Sequence, residues 1–143
     1  MHIVPMTMDH YPQFAKLLQT TPGVVFRTAD EYEQTRRYLG RNQGLSFIAM
    51  EGEEIIGMVM CGHDGRRGYL QHLLVLPEYR EAGVGRSLVQ SALHALAELG
   101  IHKSHLFVFT HNREAQRFWH RIGWEFREDI ALYSITTSED SNA

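Results

Sequence analysis

The chain has 143 residues and a mass of 16.5 kDa, which is long enough for one domain with its own hydrophobic core. Hydrophobic residues make up 43% and charged residues 22%, a balance that excludes wholesale disorder. The formal net charge of -3, from 14 Lys and Arg against 17 Asp and Glu, argues against binding to nucleic acid through charge alone.

The single cysteine, Cys61, excludes an internal disulfide and a zinc site built from several thiolates. We expect no signal peptide, because residues 1–5 lack a basic region followed by an apolar run. No apolar stretch approaches the ~20 residues that a membrane helix needs. His102, His105 and His111 have no cysteine or carboxylate at ligand spacing. We therefore expect a cytoplasmic protein with no metal site and with neither a membrane nor a nucleic-acid partner; a homodimer stays open.

The hydrophobic pattern predicts strands and helices that alternate along the chain. The predicted strands cover 2–6, 45–50, 54–61, 69–76, 104–109, 124–126 and 130–135. The predicted helices cover 9–19, 30–41, 83–99 and a shorter stretch that Asn112 caps and Gly123 ends. Strand–helix–strand order in the middle predicts a right-handed crossover between parallel strands. We expect a mixed α/β sheet with helices on both faces, one domain over 1–136 and a flexible polar tail over 137–143.

The most informative segment is the glycine turn at residues 80–86, between a buried strand and the longest predicted helix. The first amides of a helix have no internal partner and carry the positive end of its dipole. Gly83 and Gly85 let an anion approach the backbone, and Arg80 and Arg86 add positive charge nearby. The turn therefore predicts phosphate binding. The alternative is that the glycines only let the helix pack tightly on the strand.

Two motifs at the right spacing resemble the GNAT acyltransferase superfamily, and the resemblance covers nearly the whole chain. The first motif is Arg80-x-x-Gly83-x-Gly85, after a strand that ends Leu73-Leu74-Val75-x-Pro77. The second motif is Asn112-x-x-Ala115-x-x-Phe118-x-x-x-x-Gly123-Trp124. The resemblance implies the GNAT fold: a mixed, mostly antiparallel sheet of six to seven strands, with splayed parallel fourth and fifth strands and about four helices on both faces.

The resemblance implies acetyl-CoA as the cofactor. In the family, backbone amides of the glycine turn hold the pyrophosphate. The matching residues here are Arg80, Glu81, Ala82, Gly83, Val84 and Gly85, with Arg86 beside them. The pantetheine arm would follow the strand at Leu73, Leu74 and Val75, between the splayed strands. Asn112 resembles the family position that contacts the cofactor from the next helix, and we expect Trp119, on the same helix, to contact it as well.

The implied reaction is N-acetyl transfer to a primary amine of a small molecule or peptide, by direct attack in a ternary complex. We expect a backbone N–H at a bulge in the Leu73 strand to stabilise the oxyanion. Many members place a tyrosine seven residues after the asparagine, as the acid for the departing thiolate. This chain has Trp119, which lies on the apolar face of the helix and whose indole does not release a proton near neutral pH. The alternative function is therefore a coenzyme-A-binding module with weak or no catalysis.

The general base is left open between several residues. Some relatives carry a glutamate four residues before the cofactor-binding strand triple, where Tyr69 stands, and others carry one five residues before the asparagine, where Phe107 stands. Tyr69 is an acid, a group that holds water or simply a strand aromatic. His72 titrates in the useful range, but strand alternation predicts that it faces away from Tyr69.

Two segments are candidates for acceptor binding. The turn at 63–68 places His63, Asp64, Arg66 and Arg67 at the start of the fourth predicted strand, where two arginines could clamp a carboxylate or phosphate. Its alternative is a solvated hairpin tip. The apolar loop around Phe26 either folds under the helices or forms a wall of the acceptor site.

Overall fold

The computed structural model describes all residues, 1–143. One sheet contains five strands in the order β1-β2-β3-β4-β5. The strands are β1 (His2–Pro5), β2 (Phe47–Glu51), β3 (Glu54–His63), β4 (Gly68–Val75) and β5 (Ser104–His105). The first four pair antiparallel in sequence order, and β4 pairs parallel with β5. The predicted mixed α/β class is confirmed.

Four α-helices lie close to their predicted positions. They are α1 (Tyr11–Thr20), α2 (Tyr32–Arg41), α3 (Val84–Glu98) and α4 (Arg113–Arg121). Short 3-10 helices cover Met8–His10, Thr28–Asp30 and Pro77–Tyr79. The chain forms two compact units, residues 1–106 with the whole sheet and α1 to α3, and residues 107–143 with α4. A single domain over 1–136 with a polar tail over 137–143 stays a prediction.

The predicted number of strands was too high. Residues 124–126 and 130–135 form no strand, and the strand predicted over 104–109 is limited to Ser104–His105. Strand residues need a neighbouring backbone to complete their hydrogen bonds. The residue types at 106–109 and 130–135 therefore favour a strand, but residue type alone does not provide a neighbouring strand to pair with.

The two faces of the sheet carry different helices. On β3, a Cβ atom at Gly57 would lie 3.1 Å from side-chain atoms of Leu88 and Val84, so this face packs against α3. On the other face, a Cβ atom at Gly62 would lie 2.9 Å from Asn42 and from the Tyr38 hydroxyl. A buried apolar cluster fills the α1–α2 face and comprises Met6, Phe14, Leu18, Leu39, Ile48, Ile55, Met58 and Met60.

The start of β4 passes directly beneath α3. A Cβ atom at Gly68 would lie 2.5 Å from both the Leu96 Cδ1 atom and the Ser104 Oγ atom. Distances this short do not occur between real atoms of this kind, so only glycine fits here without movement of its neighbours.

Candidate active site

The glycine turn begins α3 with backbone that is open to a ligand. Gly83 is the N-cap residue, with φ 83° and ψ 5°, a left-handed conformation that favours glycine. No side chain caps α3, and its first turn contains no acidic residue. A Cβ atom at Gly83 would meet nothing within 4 Å. The space beside Gly83 is therefore open, and the field at the start of α3 favours an anion.

The other members of the turn differ in exposure. Glu81, with φ 63°, and Ala82 are exposed, as is Arg86 on the first turn of α3. Val84 and Gly85, the first two residues of α3, are buried. Burial of Gly85 fits the tight-packing interpretation at this position, whereas Gly83 is open and fits the phosphate interpretation.

Arg80 fastens the glycine turn to the end of the strand before it. Its Nε atom donates a hydrogen bond to the carbonyl of Val75 at 3.1 Å, and the rest of the side chain is exposed. A guanidinium has five N–H donors, so this bond leaves others available to a ligand.

Strand β4 contains the bulge that the resemblance implied. Met58 of β3 pairs with Leu74, but Met60 pairs with Gln71, so β4 has one extra residue between these pairs. His72 lies in the extra segment with φ 53°, a left-handed value that is uncommon outside glycine. Bulges of this kind redirect side chains and interrupt strand pairing next to functional sites.

Beyond its first residues, β4 loses its parallel neighbour. The β4–β5 pairing consists of Gly68 with Ser104 and Tyr69 with His105. The ladder ends where β5 itself ends, at His105, so the edge of β4 from residue 70 to residue 75 has no ladder with β5. Leu73, Leu74 and Val75, the expected pantetheine-contacting residues, are half-buried along this edge.

Tyr69 faces the α1–α2 side of the sheet. It lies opposite Gly62, and the Cβ direction of Gly62 points at Tyr38 and Asn42 of the α2 region. The Tyr69 ring also lies 5.8 Å from the ring of His105, centroid to centroid. Its catalytic role stays a prediction.

The predicted orientation of His72 was wrong. Regular alternation would place it on the face opposite Tyr69, but the bulge shifts the phase of the strand by one residue. The His72 ring lies 6.4 Å from the ring of Phe14 in α1, and its Nε2 atom lies 2.7 Å from the Oδ1 atom of Asp30. His72 and Tyr69 therefore share the α1–α2 face.

Asp30 is a site residue that the sequence analysis missed. Its residue exposure is 6%, and its second carboxylate oxygen accepts a hydrogen bond from the Arg27 amide at 2.9 Å. Its carbonyl accepts hydrogen bonds from the hydroxyls of Tyr11, at 2.9 Å, and Thr35, at 3.2 Å. Burial alone would raise the pKa of Asp30, but the hydrogen bonds with His72 and the Arg27 amide outweigh it and lower the pKa. The carboxylate is ionised at neutral pH.

The sequence held one signal for Asp30. An aspartate before a helix is an ordinary capping residue, and we predicted it as the start of the second helix. Nothing local distinguishes an aspartate that ends a helix turn from one that also meets a histidine 42 residues away.

Several polar groups of the turn at 63–68 form hydrogen bonds within the turn itself. The Oδ1 atom of Asp64 accepts hydrogen bonds from the amides of Arg66 and Arg67, at 2.8 and 2.7 Å, and these bonds lower the pKa of Asp64. The Nδ1 atom of His63 accepts a bond from the Gly65 amide at 2.9 Å. These contacts account for a stable hairpin tip, and acceptor binding at the turn stays a prediction.

The apolar loop folds under the helices. Val24 and Phe26 pack against the buried cluster of the α1–α2 face, while Val25 remains 56% exposed. Contact between Phe26 and an acceptor stays a prediction.

Asn112 and Trp119 belong to the second unit. The Oδ1 atom of Asn112 accepts a hydrogen bond from the Ala115 amide at 3.1 Å, so Asn112 caps α4 as predicted. The Trp119 ring makes edge-to-face contacts with Phe118 and Trp124, at centroid distances of 5.1 and 5.0 Å. These contacts explain a tryptophan here as part of an aromatic cluster, and cofactor contacts by Asn112 and Trp119 stay predictions.

A cavity of about 290 Å³ lies between α2 and the strands β3 and β4. Its lining includes Asp30, Arg37, Tyr38, Arg41 and Gln71. Burial raises the pKa of Tyr38 to about 12, so its hydroxyl stays protonated in the physiological range. The cavity combines the buried carboxylate with two arginines that the sequence analysis had not selected.

Three further features concern reactive groups, metal ligands and membrane helices. Cys61 is buried in β3, and burial raises the pKa of its thiol to about 12, which makes it a poor nucleophile. No three histidine, cysteine or acidic side chains gather as metal ligands. None of the helices combines the length and the apolar character needed to cross a membrane.

Comparison with known families agrees with this geometry. A family model described as Acetyltransferase (GNAT) family matches residues 11–124. The chain therefore belongs to the GNAT acetyltransferase family.

Individual relatives are similar over part or most of the chain. N-alpha-acetyltransferase 30 of Homo sapiens is 34% identical over 96 residues, which cover 63% of this chain and 26% of that protein. The chain thus spans about a quarter of the length of that relative. Acetyltransferase SG1711 of Sodalis glossinidius is 28% identical over 104 residues, 73% of each chain.

A solved structure is similar in fold. The structure of AAC(6')-Iy in complex with the bisubstrate analog CoA-S-monomethyl-acetylneamine has a TM-score of 0.74 and covers 94% of this chain and 97% of that one. Its sequence is 22% identical, so the likeness concerns the fold.

Proposed function

We propose that the chain is an acetyl-CoA-dependent N-acetyltransferase that acts on a primary amine of a small molecule or a peptide by direct attack in a ternary complex. The observation that carries the proposal is the open, uncapped start of α3 at Gly83, which follows β4 after one short 3-10 helix, together with the edge of β4 that has no ladder with β5 beyond Tyr69. Family membership supports it, as do the N-acetyltransferase name of one relative and the CoA analog named with one structural neighbour.

The cofactor would be held at two places. The open amides at Gly83 and beyond, with the arginines Arg80 and Arg86, suit a pyrophosphate. The free edge of β4 along Leu73 to Val75 offers backbone groups to the amides of a pantetheine arm, in the way that a further strand would pair. When bound, the cofactor supplies an acetyl thioester.

The chain's own groups would then serve the transfer. A backbone N–H released by the β4 bulge at His72 would donate to the developing oxyanion. The α1–α2 side of the bulge, next to the 290 Å³ cavity, would receive the amine. Holding the amine against the carbonyl turns a bimolecular step into an effectively unimolecular one.

The second candidate is a coenzyme-A-binding module with weak or no catalysis. The observation in its favour is Trp119, which stands where many family members carry a tyrosine acid and which packs with Phe118 and Trp124. A thiol with a pKa of ~8.5 is nevertheless a tolerable leaving group without an acid. We therefore expect acetyl transfer to proceed without that tyrosine. We also propose that the protein is cytoplasmic.

The test measures binding and turnover in parallel. Calorimetry gives the affinity for CoA, and release of free thiol from acetyl-CoA is followed with polyamines, aminoglycosides, amino acids and short peptides as acceptors. Binding together with amine-dependent thiol release and an acetylated product supports the transferase. Binding without release across the panel favours the module, and absence of CoA binding contradicts both.

A further inference from the structure

We propose that His72 accepts the proton of the attacking amine. Asp30 orients the His72 ring for that role and stabilises the imidazolium that forms. The proposal rests on the proposed acetyltransferase function and names residues that perform its proton transfer. His72 would be the catalytic residue, and Asp30 a positioning residue that acts through it.

The contact between the two side chains fixes which nitrogen is free. The Asp30 Oδ1 and His72 Nε2 atoms are 2.7 Å apart, a length typical of a charge-assisted hydrogen bond. An ionised carboxylate can only accept, so the Nε2 atom carries the shared proton. In the neutral ring the Nδ1 atom is then unprotonated and can act as a base.

Asp30 is held in place independently of the histidine. Its other oxygen accepts the Arg27 amide, and its backbone carbonyl accepts the Tyr11 and Thr35 hydroxyls. The Asp30 side chain is 7% exposed and the His72 side chain 23%. A fixed, buried carboxylate against a partly accessible imidazole orients the ring and stabilises the imidazolium that forms when it takes a proton.

The backbone places the ring at the required point of the strand. His72 is the left-handed bulge residue of β4, just before Leu73 to Val75, where the pantetheine arm is proposed to lie. The thioester end of that arm, running back from the glycine turn, would reach the bulge. The cavity lined by Asp30 and Gln71 opens beside it and gives the amine a route to the same point.

The charged and titratable neighbours come from three elements. Helix α1 contributes Tyr11, the 3-10 helix and its flanks contribute Asp30, Arg27 and Glu31, and α2 contributes Arg37, Tyr38 and Arg41 at the cavity. The residues of β3 paired across the bulge are methionines. Asp30 is the carboxylate in contact with the ring, so its removal is expected to act on His72 directly.

The step conserves atoms and charge. The neutral amine nitrogen forms a bond to the thioester carbonyl carbon, and the N–H proton passes to His72 Nδ1, directly or through one water molecule. The C–S bond breaks with its electron pair on sulfur. The imidazolium then returns its proton to the thiolate through solvent, which leaves an amide and a free thiol.

The decisive variant is His72→Gln. The side-chain amide of glutamine can still donate a hydrogen bond to the Asp30 carboxylate in place of Nε2. The link between the two segments is therefore kept while the base is lost. We expect kcat to fall ~100-fold or more, with CoA affinity, the acceptor KM and the melting temperature close to wild type. We also expect the acid limb of the pH profile of kcat/KM to disappear.

Two companion variants test the pair. In Asp30→Asn the carboxylate that orients the ring and stabilises the imidazolium is lost, so kcat should fall while the acceptor KM stays close to wild type. His72→Gly suits the positive φ, and added imidazole should restore part of its turnover. His94→Gln, at an exposed histidine on α3 that pairs with Glu98, is the matched control and should behave as wild type.

The results separate the two proposals. If wild type acetylates an amine and His72→Gln keeps its kcat and pH profile, the contact only links the two segments. The proposed catalytic dyad of His72 and Asp30 is then wrong, and the proposed acetyltransferase function is still supported. If wild type binds CoA but acetylates no amine in the panel, the proposed function fails and the dyad fails with it.

Discussion

Gly83 offers a direct test of the proposed phosphate site, because its two roles can be separated. Substitution Gly83→Ala forces a residue with a side chain into φ 83°, at a cost of ~1–2 kcal/mol. Alanine also restricts the unfolded chain, which returns ~0.4–1 kcal/mol. No clash adds to this, since the new Cβ atom would meet nothing within 4 Å. The net loss of stability is about 1 kcal/mol, or roughly 2–4 °C in melting temperature.

The effect on the ligand should be larger than the effect on the fold. The added methyl group would occupy the open space beside Gly83, at the turn where the pyrophosphate is proposed to bind. Loss of one hydrogen bond to a charged group costs ~1.5–3 kcal/mol, so CoA affinity should fall at least ~10-fold. Calorimetry with CoA and denaturant unfolding measure the two effects separately.

Gly44 supplies the matched control. It has φ 76° and also has no atom within 4 Å of a built Cβ, but it lies in the loop after α2. Gly44→Ala should lose the same stability and keep wild-type CoA affinity. If Gly83→Ala binds CoA as tightly as Gly44→Ala does, the phosphate is not at this turn.

Further predictions concern the fold and two titratable groups. Gly68→Ala should destabilise by ~1–3 kcal/mol, because its Cβ would lie 2.5 Å from side-chain atoms of α3 and β5. By contrast, Gly40→Ala, in open space on α2, should stabilise by ~0.5–1 kcal/mol in urea unfolding; equal effects would contradict the packing argument. Cys61, with its pKa raised to about 12 by burial, should resist iodoacetamide at pH 7.5 until the chain is unfolded, as checked by mass spectrometry. Asp64 has a lowered pKa in the folded state, so its charge stabilises the fold above the unfolded pKa of ~4 and ceases to do so as the pH falls through the folded value. Asp64→Asn should therefore be less stable than wild type at pH 7, and the difference should vanish in strong acid; a constant difference would be against this account.

The features that follow from local chemistry were predictable from the sequence. The stripe of Val84, Leu88, Ala92 and Leu96 predicts α3 almost to its ends, and all four are buried. The glycine turn was predictable for the same reason, because a left-handed backbone at Gly83 and an uncapped helix start are properties of a few adjacent residues.

The features that depend on distant partners were not predictable. The contact between Asp30 and His72 joins residues 42 positions apart, and the local sequence around neither residue indicates that they meet. The predicted orientation of His72 was wrong because alternation assumes an unbroken strand. The resemblance implied a bulge in this strand, but residue type did not place it at His72. The strand predicted at 130–135 has the right side chains but lacks a neighbour to pair with.

The bulge in β4 adds one residue that the ladder with β3 does not need. Gln71 lies opposite Met60 and Leu74 opposite Met58, so the paired segments match β3 on either side of the extra residue. Leu74 packs on the α1–α2 cluster, and Val75 lies opposite Gly57 on the α3 side. Deletion of His72 would leave a regular ladder with those faces unchanged, and the strand would lose only its bulge and the side chain that contacts Asp30.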